Sequence, residues 1–183
     1  MNEHQILKYV FGILLSLGTV VLWMIAFLCF YKYLLQEKKC TSQVKGTVKK
    51  YTLFSHGGKT SSVNLPVVFY TVNGKQYKVV GPEYRAIKTL TKTSPVAQNS
   101  MEVYEDNQTL TVKRTKNAFI GIFKNPMEEL YPLNSQIDVY YDPENPKLAY
   151  VLRYCNRKWA FWLTFLSGVA VLGMDIMTFL LVR

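Results

Sequence analysis

Histidine and cysteine are scarce in this chain, which has two histidines and three cysteines among 183 residues. His4 and His56 are far apart, and neither stands beside a carboxylate or a cysteine at the spacing of metal ligands, so the sequence offers no metal site. It also lacks a G-x-S-x-G elbow and a P-loop, and its few adjacent acids would point to opposite faces of a strand. We therefore expect no enzyme activity, no catalytic residue and no cofactor.

Acidic residues are also few, with 12 Asp and Glu against 22 Lys and Arg, which gives a net charge of +10. A basic surface suits anionic lipid headgroups, an acidic protein or nucleic acid. Several basic residues alternate with tyrosines, as in oligonucleotide-binding barrels, but no stacking platform can be placed. We expect a solvated basic surface facing membrane lipids and no binding of nucleic acid. The residues concerned are Lys45, Lys49, Lys50, Lys78, Arg85, Lys88, Lys92, Lys113, Arg114 and Lys116.

Apolar residues make up 49% of the chain and gather in two long runs. The runs, roughly Tyr9 to Leu35 and Trp159 to Val182, each exceed the about 20 residues that cross a bilayer as a helix. The first run is too long for the apolar core of a secretory signal, and no small-x-small cleavage site follows it, so we expect an uncleaved anchor. The predicted plan is an N-terminal tail (1–8), a transmembrane helix (9–35), a β-rich soluble domain (36–158) and a second transmembrane helix (159–182).

Basic residues near the ends of the two runs indicate the orientation. Six lie on the domain side and two on the tail side, and such residues remain cytoplasmic more often than not. This favours a cytoplasmic β domain, although a folded segment of this size can be translocated whatever its charge. The six are Lys32, Lys38, Lys39, Arg153, Arg157 and Lys158, and the two are Lys8 and Arg183.

The middle of the chain has the alternation that is typical of short strands. Gln43 to Tyr51 alternates apolar and polar residues. Val67 to Val72 and Lys75 to Val80 flank Asn73-Gly74, the pair that best supplies the positive φ angles of a type I′ turn, and this predicts a β-hairpin. We expect about six or seven antiparallel strands in a small sandwich or barrel. Further strands are predicted at Met101 to Tyr104, Thr109 to Arg114, Ile137 to Tyr141 and Leu148 to Leu152.

Three other segments have distinct patterns. Pro82 to Leu90 places Tyr84 and Ile87 at helical spacing and predicts a short helix. Ser55 to Asn64 is polar and contains two glycines, which predicts a loop. The apolar patch from Ala118 to Phe123 is expected to be buried or to dip into the membrane surface.

The middle segment resembles the bacterial two-pass membrane family catalogued as domain of unknown function 3592. The most specific element of the resemblance is the turn formed by Tyr141, Asp142, Pro143, Asn145 and Pro146. It implies a bacterial envelope protein with a small β domain, in a family that has no general assigned activity. Pro95 to Tyr131 departs from the family pattern and looks like an insertion. Matching residues elsewhere are Cys40, Gly46-Thr47-Val48, Pro66, Phe69-Tyr70, Val72, Gly74, Tyr77, Val139-Tyr140 and Ala149.

Two cysteines each lie about five residues outside a predicted span. Antiparallel spans would bring Cys40 and Cys155 close together. A disulfide would then join them in an oxidising space, whereas both would remain reduced thiols in a cytosol. Cys29 lies within the first span and reads as a small packing residue.

Asp175 is the one ionisable residue deep in a predicted span. A charge at that depth costs several kcal/mol unless it is neutral, partnered or wet. An antiparallel first helix would place Ser16 or Thr19 at similar depth as a hydrogen-bond partner, which favours a packing or oligomerisation role. The other interpretation is a proton or ion relay, which would need an oligomer because two spans enclose no pathway.

These patterns predict a non-enzymatic bacterial plasma-membrane protein whose β domain binds a protein partner, as an accessory or immunity-type protein would. The alternative is a component of a small oligomeric transporter or channel that uses Asp175. Membrane lipids and a second copy of the chain are the other expected partners.

Overall fold

The structure is a computed structural model that describes residues 3–56, 63–95, 99–117 and 124–181. Contacts divide the chain into two units. A helical unit holds the residues up to Leu35 and those from Asn156 onward, and a β unit holds Gln36–Cys155. The predicted order along the chain, with one long apolar helix before the β domain and one after it, is therefore present.

Each apolar run forms a helix. The segments Tyr9–Lys39 and Lys158–Leu180 are long and apolar enough to cross a bilayer. The first helix changes its winding in the middle and continues to Lys39, so the residues from Gln36 to Lys39, which lie beyond the predicted span, form its last turn. The elements are α1 (Glu3–Ile25), a π-helical stretch (Ala26–Phe30), α2 (Tyr31–Lys39) and α4 (Lys158–Leu181), with a short α3 (Met127–Leu130) in the β unit.

Small residues of one long helix face large residues of the other. Gly12 lies against the ring of Phe179, and Gly168 lies against the indole of Trp23. A Cβ atom at either glycine would fall 2.5 Å from the facing ring. Stacked and edge-on aromatic rings continue this interface, from α1 and the π-helical stretch to α4. Close approach through small residues is how helices associate where the surroundings are apolar.

The larger sheet of the β unit has five antiparallel strands, with β1 at its centre. Its order is β3-β2-β1-β7-β8, and the edge strands β3 and β8 contact each other, so the sheet curls. The curl encloses one core cluster: Val48, Val68, Tyr70, Val72, Ile137, Val139, Ala149 and Val151. The strands are β1 (Ser42–Tyr51), β2 (Pro66–Val72), β3 (Lys75–Val80), β7 (Gln136–Tyr141) and β8 (Ala149–Val151).

A tight turn and a glycine determine the local geometry of this sheet. Asn73 and Gly74 have φ of 50° and 74°, as the predicted hairpin turn requires. At the centre of β1, a Cβ atom on Gly46 would lie 2.5 Å from Val68 and 2.9 Å from Val139, so only glycine lets the neighbouring strands' side chains meet across β1.

The smaller sheet has the order β4-β6-β5. Its β5–β6 pair is antiparallel, with Asn107 at φ 47° in the connecting turn, but β4 and β6 are parallel. The prediction that all the strands are antiparallel is therefore wrong for the β4–β6 pair. The strands are β4 (Ala86–Ser94), β5 (Ser100–Asp106) and β6 (Thr109–Asn117).

The short helix predicted from Pro82 to Leu90 is wrong, because most of its residues belong to the start of β4. Ile87 packs against a second core cluster, and the threonines that follow it are β-branched residues that favour strands. Pairing with β6 thus overrides a weak helical spacing. The cluster consists of Val63, Leu65, Tyr84, Leu110, Val112 and Met127.

The remaining sequence predictions can be placed element by element. The strands predicted around Val48, Val68, Lys78, Val103, Val112, Val139 and Tyr150 are confirmed. The patch from Ala118 to Phe123 lies outside the described residues, as does most of the predicted loop from Ser55 to Asn64. The described ends of that loop pair as an isolated bridge between His56 and Val63.

Candidate functional site

An apolar pair projects from the turn that follows β1. Leu53 is 94% exposed and Phe54 is 84% exposed, although both side chains are large and apolar. Most large apolar side chains of a folded domain are buried. We call this pair the apolar tip.

Hydrogen bonds hold the backbone around the apolar tip. The Thr52 hydroxyl donates to the Phe54 carbonyl oxygen (3.1 Å) and accepts from the Leu65 N–H (3.0 Å). Beyond the tip, the Ser55 hydroxyl accepts from the Val63 N–H (3.1 Å). The backbone is therefore fixed on both sides of the pair, while the two side chains face solvent.

The apolar tip lies at the opposite end of β1 from the residue at which that strand begins. Strand β1 begins at Ser42, which pairs with Tyr141, and it ends at Tyr51, just before the tip. Ten residues of strand span about 30 Å. The apolar tip is thus about that far from the start of β1.

A partly buried ion pair connects the two sheets. Arg153, which follows β8, pairs with Glu105 on β5, and the other carboxylate oxygen of Glu105 accepts from the Tyr131 hydroxyl (2.7 Å). The Arg153 guanidinium also lies 5.1 Å from the centre of the Tyr84 ring. The Tyr131 carbonyl oxygen in turn accepts from the Tyr51 hydroxyl on β1 (2.8 Å). Burial, together with Glu105, raises the pKa of Tyr84 and Tyr131.

Hydrogen bonds within the chain hold the turn that carries the family resemblance. Asp142 is buried, and its carboxylate accepts from the Glu144 N–H (2.9 Å). The Leu148 N–H donates to the Asn145 carbonyl oxygen (2.9 Å), and the Tyr70 hydroxyl donates to the Pro146 carbonyl oxygen. These bonds close the turn on itself and on β2. Tyr141 is half-buried beside Tyr70, and Pro143 is exposed at the tip of the turn.

Cys40 and Cys155 are both buried thiols in the structure. The Cys40 thiol donates to the Leu148 carbonyl oxygen (3.3 Å). Burial, with the nearby Asp142, raises the pKa of this thiol to about 11. Cys40 is therefore protonated at neutral pH and a poor nucleophile for thiol exchange.

Asp175 lies at the interface of the two long helices. It is 7% exposed, and its carboxylate accepts a hydrogen bond of 2.7 Å from the Ser16 hydroxyl on the facing helix. Thr19 is also buried, but its hydroxyl donates to the Leu15 carbonyl oxygen of its own helix (3.1 Å). Of the two partners predicted from the sequence, the structure thus brings Ser16 to Asp175 and turns the Thr19 hydroxyl toward its own backbone.

The basic residues do not form one uniform surface. Arg114 on β6 is 3% exposed, and burial lowers the pKa of its guanidinium. Lys113 lies 5.0 Å from the centre of the Tyr104 ring, and Lys45 pairs with Asp138 (2.6 Å). Arg114 therefore does not belong to the solvated basic surface that the sequence predicts.

Among the described residues, no group of three His, Cys, Asp or Glu side chains is arranged to hold a metal ion. Comparison with protein-family models, curated proteins and solved structures finds no match for this chain. The apolar tip and the Glu105–Arg153 pair were not identified from the sequence. The dipeptide Leu53-Phe54 between polar residues was the available signal for the tip, whereas the ion pair joins segments that are far apart in the chain.

The Ser16–Asp175 hydrogen bond generates a testable prediction. Ser16→Ala should weaken the helix pair by about 0.5 to 1.5 kcal/mol, the usual range for a polar contact between helices in an apolar environment. The matched control is Ser167→Ala, because the Ser167 hydroxyl donates within its own helix, to the Leu163 carbonyl oxygen. The measurement is unfolding in mixed detergent micelles, followed by tryptophan fluorescence. Equal unfolding curves for the two variants would argue against an energetically significant contact.

Proposed function

We propose that this chain is a non-enzymatic binding module for a protein partner, anchored in a bacterial plasma membrane by its two long helices. In this proposal the β unit acts as an accessory or immunity-type protein. The length and apolar character of Tyr9–Lys39 and Lys158–Leu180 support the anchoring. The excess of basic residues on the domain side supports a cytoplasmic β unit and an attraction to anionic lipid.

The apolar tip is the observation that carries the proposal. Exposing two adjacent large apolar side chains on a fixed backbone costs solubility and gains no packing within the chain. Aromatic and aliphatic anchors that enter a pocket supply much of the free energy of protein association. The tip lies at the opposite end of β1 from the residue at which that strand begins, and its two exposed side chains are accessible to a partner.

The surroundings of the tip indicate the chemistry of the partner. Lys49 and Lys50, at the end of β1, are exposed just before it. Lys49 contacts Asn134 (3.3 Å) and is otherwise in solvent. A protein with an apolar pocket and an acidic rim would complement both the tip and these charges.

Photo-crosslinking in native membranes tests the proposal. With benzoylphenylalanine in place of Phe54, we expect one discrete protein adduct, identified by mass spectrometry, and its loss when Leu53→Ser is added. The matched control carries the probe in place of Gln76, an exposed residue beside the β2–β3 turn, at the opposite end of the larger sheet from the tip. Adducts with lipid alone, or the same set of adducts from both positions, would contradict the proposed partner.

One observation favours a second function, as a component of an oligomeric transporter or channel. Among the described residues, the second carboxylate oxygen of Asp175 (Oδ1) has no hydrogen-bond partner. A homo-oligomer that placed this oxygen along a pathway could use it to relay a proton or an ion. Measurement of ion flux into proteoliposomes tests this function. If Asp175→Asn and the unaltered chain gave the same flux, this support would be lost.

A further inference from the structure

Strand β4 presents an open edge. It lies at one side of the smaller sheet and, among the described residues, pairs only with β6. Its nine residues, Ala86–Ser94, make it one of the longer strands of the β unit. The unpaired N–H and C=O groups on such an edge can accept another strand.

The side chains of β4 give this edge a pattern. Lys88, Leu90 and Lys92 alternate along the strand and therefore point to the same face of the sheet. Leu90 is 58% exposed, and both lysines are exposed. Neither lysine makes a hydrogen bond or an ion pair with any residue in the described part of the chain.

The third lysine of that face lies on β6 and, unlike the other two, has close side-chain neighbours. Lys113 on β6 pairs with Leu90 in the register of the sheet and lies over the Tyr104 ring. The Tyr104 hydroxyl in turn donates to the Glu102 carboxylate (2.8 Å). Side chains of β5 thus lie beside the inner lysine, whereas the two lysines at the edge are exposed to another molecule.

Lysines alone on an edge strand discourage strand pairing between proteins. Prevention of strand pairing does not require an exposed leucine between the lysines. The alternation of cation, apolar side chain and cation instead matches a strand of complementary pattern, with an acid opposite each lysine and an apolar residue opposite the leucine.

We infer that β4 binds an extended acidic segment of the partner protein by strand addition, with acidic side chains facing Lys88 and Lys92 and an apolar side chain facing Leu90. The inference rests on the proposed function only in that the partner is a protein, and it concerns a different surface from the apolar tip. Backbone hydrogen bonds to the open edge would supply affinity, and the alternating side chains would supply specificity.

The test uses the full chain in nanodiscs of neutral lipid and a fluorescent seven-residue peptide. The peptide has threonine at its odd positions and glutamate, leucine and glutamate at its even positions, and fluorescence anisotropy measures its binding. We expect saturable binding that Lys88→Glu with Lys92→Glu weakens about tenfold, since each exposed pair changes from attraction to repulsion. A peptide with lysines in place of the glutamates should bind this variant better than it binds the unaltered chain, which also shows that the variant is folded.

The matched control reverses the charge of two lysines on another strand. Lys75 and Lys78 on β3 are exposed, so Lys75→Glu with Lys78→Glu changes the net charge equally but should leave the binding of the acidic peptide unchanged within about twofold. Two further acidic peptides are N-methylated, one at its central leucine and the other at the two threonines beside it. Because the N–H groups of successive residues point to opposite sides of a strand, one of these peptides carries N-methyl groups toward β4 and should bind at least about tenfold more weakly.

Three outcomes would overturn the inference. If the acidic peptide showed no saturable binding, the two lysines would be explained as residues that prevent strand pairing at this edge. Equal binding of the unmethylated peptide and both N-methylated peptides would reduce the contact to charge alone. Displacement of the peptide from neutral nanodiscs by soluble glycerophosphoglycerol, the headgroup of phosphatidylglycerol, would assign the lysines to lipid. None of these outcomes affects the adduct expected from Phe54, so the failure of this inference is distinguishable from the failure of the proposed function.

Discussion

The ion pair between Glu105 and Arg153 joins the two sheets of the β unit, and the rest of that unit depends on it. Glu105 belongs to the smaller sheet, whereas Arg153 follows the last strand of the larger one. Hydrogen bonds to charged groups contribute about 1.5 to 3 kcal/mol when partly buried, and removing one member would leave the other's charge unsatisfied. Tyr131 extends the contact because it packs against both core clusters.

This arrangement gives the β unit two accessible surfaces of different chemistry. The apolar tip follows the central strand of the larger sheet, and its backbone is fixed by Thr52 and Ser55. The open edge of β4 belongs to the smaller sheet and carries cations around a leucine. A partner that engaged both would be selected by shape at one surface and by charge and backbone pairing at the other. The Ser16–Asp175 contact, in turn, links the two long helices to each other.

Local signals in the sequence were sufficient to predict the elements that depend only on local preferences. Asn73-Gly74 determines a hairpin by its own φ preferences, and apolar length alone determines the two helices. Strand β4 was mistaken for a helix because its state depends on pairing with β6, which follows it in the chain and lies parallel to it. The Glu105–Arg153 pair and the exposure of the apolar tip depend on which segments meet in three dimensions. Neither spacing nor composition encodes that information, so these features required the structure.

The central claim is that the long helices lie in a bilayer while the apolar tip faces water. Single cysteines test it in cells carrying Cys29→Ser, because Cys40 and Cys155 are buried. Leu17→Cys places a thiol on an exposed position of α1, and Leu53→Cys places one at the apolar tip. With permeabilised cells and a membrane-impermeant maleimide, the account predicts rapid labelling at position 53 and none at position 17. Equal labelling of the two positions would contradict it, because the helix would then be in water.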